Sequence, residues 1–251
     1  MKKFLIKFLE FFKFIDFNFK STYIHYLISR LYGFHFNNYL FEQNEICFIH
    51  IPKTGGTSIE STFEDFEANK IFLENKYLKK KHIPISKKMD PKKYKYITSV
   101  RDPVSRVWSY YQMALRNDKD NPYFYLAKNK SLKFFVKHCW ECRNMMTKYL
   151  TGNITDNLNN EDVEKALNNL SNFFFVFDFS KLDLSNSKFI SKIYKDHLKV
   201  APPPTLINFN FPNKRKSNYE KPSEEDIKII KRFNKYDYQI YKIWLSKQNQ
   251  I

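Results

Sequence analysis

Lys53, Gly55, Gly56, Thr57 and Ser58 fall within one short stretch, FIHIPKTGGTSIESTF from Phe48 to Phe63, in a chain that has only four glycines. A lysine, paired glycines and two hydroxyls between an apolar run and a helical one are the parts of a phosphate cradle. Glycine lets backbone N–H groups close on an anion, and the N-terminus of the following helix adds its dipole. An ordinary strand–turn–helix connection needs one glycine, and no lysine with hydroxyls crowded round it.

These residues need a strand before them and a helix after them. Glu45–Ile51 reads as a short buried strand ending at Pro52, and about Thr57–Phe66 as a helix. Tyr94–Val100 is a second strand, and Pro103 is suited to the first turn of the helix that follows. Further helices are expected over Ser131–Lys148 and Asn159–Leu170, the latter with acidic residues in its first turn. Phe173–Phe179 is a continuous apolar run of the kind found in a central parallel strand. Ser223 and Asp226 resemble a capping box opening one last helix that carries Ile230, Phe233, Ile240, Tyr241 and Trp244. Strands alternating with helices predict an α/β, P-loop-like three-layer fold with a central parallel sheet flanked by helices.

The expected organisation is one α/β domain over residues 46–251, with residues 1–45 as an N-terminal helical extension packed on it. In that extension Phe4, Leu5, Phe8, Leu9, Phe12 and Ile15 recur on one helical face, while Lys7, Glu10, Lys13 and Asp16 interrupt any membrane-spanning run. Packing on the domain is the default, and lying on a membrane surface is the alternative. With no export signal, the expectation is a cytoplasmic protein, at the inner face of the membrane if that helix meets lipid.

The 251 residues carry 43 Lys+Arg against 26 Asp+Glu, a net charge of +17. That balance suits an anionic partner. Heavy use of Lys, Asn, Ile, Phe and Tyr also fits AT-rich codons, and with them a bacterial source. Three cysteines exclude a disulfide framework, and the Cys139–Cys142 pair lacks the second ligand pair of a structural zinc, so packing is its expected role. Lys79–Lys81 reads as a solvated basic cluster.

The loop is not the usual nucleoside-triphosphatase motif, in which the lysine follows the last glycine; here Lys53 precedes Gly55. Asp178, inside the phenylalanine run, is the sole candidate for a magnesium-holding aspartate at a strand end. HIPKTGGTS, His50–Ser58, resembles instead the 5′-phosphosulfate loop of sulfotransferases that use 3′-phosphoadenosine 5′-phosphosulfate (PAPS), in the carbohydrate-type branch that includes heparan sulfate 2-O-sulfotransferases and bacterial members. SVRDPVSRVWSYY is similar to that family's second signature, with Arg101, Asp102, Pro103, Arg106 and Ser109. Weaker echoes are NMMTKYLTG (Asn144–Gly152) and FNKYDYQIY (Phe233–Tyr241), so the resemblance runs from about Ile46 to Trp244.

The resemblance implies a sulfuryl donor, PAPS, and no metal. It implies Lys53 at the bridging oxygen of the leaving phosphate and a cradle made by Thr54, Gly55, Gly56, Thr57 and Ser58. Arg101 and Ser109 would hold the 3′-phosphate. His82 in KKHIPIS is the implied general base, with a pKa suited to that work, and Glu74 is its rival. Arg215, in the basic loop Asn208–Lys221, would close over the nucleotide; a solvated loop is the plainer reading. His50 is expected only to pack beside the loop. Arg106 is either an additional phosphate contact or, preferably, a surface ion-pair partner.

The acceptor implied is a carbohydrate or glycolipid hydroxyl, with no nucleic acid partner. Two other classes stand beside this one: a nucleotide or small-molecule kinase, which needs magnesium and ATP, and a non-catalytic basic protein binding membrane or nucleic acid.

Overall fold

Apolar runs at Ile46–Ile49 (β1), Tyr77–Leu78 (β2), Lys95–Val100 (β3) and Phe175–Asp178 (β4) pair in parallel, in the order β2-β1-β3-β4. The computed structural model describes residues 46–59, 77–78, 84–85, 95–116, 123–193, 195 and 221–248. The expectations for residues 1–45, for the 79–81 cluster and for Glu74, His82 and Arg215 lie outside these. β3 is buried at every position but Lys95, as a strand covered on both faces must be. Its partners Ile49↔Thr98 and Val100↔Asp178 put the carboxyl ends of β1, β3 and β4 at one edge of the sheet.

Helices cover both faces. Cys47, Ile49, Tyr96 and Val100 pack with Met145, Met146 and Leu150 of Met145–Thr151, Val163 and Leu170 of Asn160–Asn172, and Trp244 of Lys235–Gln248. On the opposite face, Phe175 and Phe177 meet Phe189 of Leu182–Ile193 with ring centroids 5.2 and 5.0 Å apart. Numbered in chain order, the helices are α1 (Pro103–Arg116), α2 (Phe124–Asn129), α3 (Leu132–His138), α4 (Met145–Thr151), α5 (Asn160–Asn172), α6 (Leu182–Ile193), α7 (Glu224–Phe233) and α8 (Lys235–Gln248). Val107, Phe135, Val136 and Ile230 join α1, α3 and α7 in a second core cluster, which also takes in Cys139 and Cys142. Both thiols are free and fully buried, and burial pushes the Cys139 thiol well above its ordinary pKa. The pair therefore packs, as its sequence context predicts.

Two expectations need correction. Ser131–Lys148 is not one helix: α3 ends at His138, a 3-10 turn follows at Trp140–Cys142, and Asn144 takes a left-handed φ of 47° before α4 begins. The last helix is likewise two, with Asn234 between α7 and α8. β4 is last in the order of the described strands, beside β3. The capping boxes at Asn159/Asp162 and Ser223/Asp226 are both formed.

The two helix breaks are one joint. Asn144 Oδ1 accepts the amides of Tyr236 and Asp237, 3.1 and 3.3 Å away at the start of α8. Asp237 in return accepts the amides of Met146 and Thr147, at 3.0 and 2.8 Å, and the Thr147 hydroxyl at 2.7 Å, at the start of α4. Each helix thus satisfies the orphan first-turn donors of the other.

Candidate active site

The glycine loop turns at the carboxyl end of β1, where Lys53 has φ 68° and Gly55 φ 90°. Two left-handed residues with Thr54 between them curl the backbone into a concave turn of the kind that gathers N–H groups round an anion. A lysine in this region is strained, a feature that concentrates at functional sites. Thr54 braces the turn from within: fully buried, its hydroxyl donates to Ile51 O at 2.8 Å and lies 2.6 Å from Ser99 Oγ on β3. The Thr54 amide lies 3.4 Å from the same carbonyl, at the long end of the hydrogen-bond range. Helix begins at residue 56, with the amides of Ser58 and Ile59 both on Gly55 O.

Gly56 has no alternative. A Cβ there would run into the His50 ring, which stacks on Phe48 at 5.3 Å. Burial, helped by the charge of Lys53, lowers the His50 pKa to about 4, so the ring is neutral and packs beside the loop as expected.

Arg101 follows β3 directly. Its Nη1 donates to Lys53 O at 2.9 Å, and its guanidinium carbon lies 4.0 Å from the centre of the Phe179 ring. Nε is buried with no partner among the described residues. Burial, then the neighbouring Arg106, lowers the Arg101 pKa to about 10, opposed by Asp102; the group stays charged at neutral pH. Asp102 Oδ1 accepts the Ser105 amide at 2.8 Å and so caps α1, which Pro103 opens.

Ser109 is half-buried on α1. One turn further along the same face, Met113 Sδ lies 3.7 Å from Lys53 Nζ. That contact lays α1 alongside the loop; Lys53, Thr54, Gly55, Gly56, Thr57, Ser58 and Arg101 lie at one end of the sheet, and Ser109 is one helical turn from the Met113 contact. Glu74, His82 and Arg215 are the site candidates outside the described residues; close to His82 in the chain, Ile85 donates to Tyr149 O at the end of α4 at 2.9 Å.

Arg106 is a correction. It is fully buried rather than at the surface, and its Nη1 donates to Glu141 O at 2.9 Å in the 3-10 turn before α4. Its Nε and Nη2 have no partner among the described residues.

Two residues at this edge escaped the sequence reading. Phe179, the last phenylalanine of its run, stands against both Gly55 and Arg101. Tyr241 of α8 is the other: burial raises its pKa, with Asp178 and Asp102 adding to the effect and a hydrogen bond to Ser180 opposing it. Tyr241 ends the FNKYDYQIY echo and Phe179 ends its phenylalanine run, but nothing in either stretch marks the residue for this edge. Asp178 Oδ1 is engaged by the Ser180 amide and hydroxyl at 2.8 and 2.6 Å.

A cavity of about 420 Å³ runs along β4 between α5, α6 and α8, and Lys53, Arg101 and Ser109 are not in its described lining. Among the described residues no cluster of three or more His, Cys, Asp or Glu is placed to hold a metal ion, and no helix is long and apolar enough to cross a membrane.

The glycine loop after β1 and Arg101 after β3 thus lie at one end of the parallel sheet, joined by the Arg101–Lys53 hydrogen bond. The model of a sulfotransferase family matches residues 37–243, most of the chain, and the protein belongs to that family as a transferase. No curated protein matches the chain.

Proposed function

We propose that the protein moves a sulfuryl group from PAPS to a hydroxyl of a carbohydrate or glycoconjugate. The observation that carries this reading is the convergence of Lys53, Arg101 and the Ser109 face of α1 on the glycine loop, through the Arg101–Lys53 hydrogen bond and the Lys53–Met113 contact.

In this reading Arg101 holds the 3′-phosphate through its Nε–Nη2 side edge, a bidentate geometry that guanidinium favours, and Ser109 adds a hydrogen bond. The loop from Thr54 to Ser58 cradles the 5′-phosphate, and Arg215 closes over the nucleotide. The acceptor oxygen attacks sulfur as the bond from sulfur to the bridging phosphate oxygen breaks. Lys53 stabilises the charge left on that oxygen. His82, or Glu74 in its place, takes the acceptor proton, and adenosine 3′,5′-bisphosphate leaves. The basic balance of the chain suits a negatively charged glycan or glycolipid at the inner membrane face, with residues 1–45 packed on the domain or touching lipid.

The test is donor choice during turnover. The full chain is incubated with PAPS and a panel of glycans and glycolipids, and adenosine 3′,5′-bisphosphate release is followed beside a Mg-ATP control. Acceptor-dependent release that Lys53→Met abolishes is expected; ADP formation from Mg-ATP with PAPS inert overturns the assignment in favour of a kinase.

A further inference from the structure

The Arg101 guanidinium is restrained from two directions, and only one restraint comes from the phosphate loop. Nη1 is tied to Lys53 O at 2.9 Å, and the flat face lies on Phe179 with the guanidinium carbon 4.0 Å from the ring centre. Nε, buried and without a partner among the described residues, is what these restraints leave over. Nε and the adjacent Nη2 form the side edge of the fork, the edge that takes two oxygens of one phosphate.

Phe179 is itself held firmly. It begins the 3-10 turn Phe179–Lys181, capped by Asp178, which accepts the Ser180 amide at 2.8 Å. The Asp178 amide is in turn tied to Ser185 Oγ of α6 at 3.0 Å. On its other side the ring edge lies only 2.7 Å from where a Cβ on Gly55 would stand. Glycine at this position lets the loop backbone close on the ring. Loop, ring and guanidinium form one stack linking the 5′-phosphate cradle to the arginine.

We propose that Phe179 is a positioning residue for donor selection, its ring setting the plane of Arg101 so that the Nε–Nη2 edge meets the 3′-phosphate. The inference rests on the PAPS reading above. Phe179 does not touch the donor; it acts through Arg101, and it determines how strongly a 3′-phosphorylated nucleotide is preferred over one lacking that group.

The experiment titrates the full chain by calorimetry with adenosine 3′,5′-bisphosphate and with 5′-AMP, in wild type, Phe179→Leu, Phe179→Tyr and Arg101→Ala. Phe179→Leu weakens the bisphosphate by about five- to tenfold, the range of a part-buried cation–π contact, with 5′-AMP unchanged. Phe179→Tyr, which restores a ring, keeps the wild-type preference. Phe179→Met gives the same reading as the leucine variant if that one does not fold. Equal losses for both nucleotides, or no loss for either, overturn the proposal, because a ring that merely supports the loop has no means of separating them. Arg101→Ala separates the two levels: if it abolishes the preference while Phe179→Leu leaves it intact, only the role of Phe179 falls. If Arg101→Ala retains the preference, or wild type shows none, the PAPS reading falls with it.

Discussion

Asp237→Ala breaks the joint between α4 and α8, and its cost can be worked from the contacts. The carboxylate is fully buried and satisfies two amides and one hydroxyl, at 3.0, 2.8 and 2.7 Å. Alanine strands all three donors in a site closed to water. Each buried unpaired donor costs ~1–3 kcal/mol and a lost N-cap ~1 kcal/mol, so a total of ~4 kcal/mol follows once partial relaxation is allowed. For a chain of this length that lowers Tm by about 10 °C. Asp237→Asn keeps one acceptor oxygen and turns an NH2 towards a donor, so about half the loss is expected. Urea denaturation followed by circular dichroism measures both, with the slope checked to be unchanged. Asn144→Ala removes the reciprocal cap, and the double variant should cost less than the sum of the singles because the caps share one interface. Loss below ~1 kcal/mol in Asp237→Ala, or strict additivity with Asn144→Ala, refutes the reciprocal-cap reasoning.

The other predictions concern the loop. His50 has its folded pKa lowered to about 4 from 6.5, so the unfolded chain binds its proton first and acid favours unfolding between these two values. Stability is complete above about pH 6.5 and falls by about 3 kcal/mol as pH drops to 4; in denaturation at stepped pH, His50→Gln should flatten that part of the slope. Gly56→Ala drives a methyl into the His50 ring; it should cost ~2 kcal/mol or more and weaken bisphosphate binding, whereas Gly56→Ala with His50→Ala should recover stability relative to Gly56→Ala alone. Lys53→Met should lower kcat by about a hundredfold or more with a smaller change in donor KM, because its charge is needed most as the leaving phosphate develops; steady-state kinetics separates the two.

What was legible in the chain was local. The glycine loop, the Asp-Pro opening of α1 and the Ser223 box obey rules spanning four or five residues, and each is found where it was read. What was missed depends on partners far along the chain. Periodicity runs unbroken through Phe135, Val136, Cys139 and Trp140, yet the helix stops because the Asn144 amide binds Asn234 Oδ1 and its Nδ2 binds Phe233 O. The break at Asn234 is its mirror, since Asn234 Nδ2 reaches Cys142 O at 2.8 Å. No window of sequence contains both halves. Arg106, for which a surface ion pair is the preferred expectation, is instead drawn inside by the Glu141 carbonyl, which belongs to another element; long cations are rarely buried, so nothing local signals it. Phe179 looked like strand core, and only the fold shows that β4 ends one residue earlier and leaves its ring to the site rim.

The most direct measurement is thermal stabilisation of the full chain by adenosine 3′,5′-bisphosphate, compared with 5′-AMP and Mg-ATP, in wild type and Arg101→Ala. Selective stabilisation by the bisphosphate, lost in the variant, is the predicted result. Stabilisation equal for all three nucleotides, or greatest with Mg-ATP, contradicts the 3′-phosphate site built on Arg101.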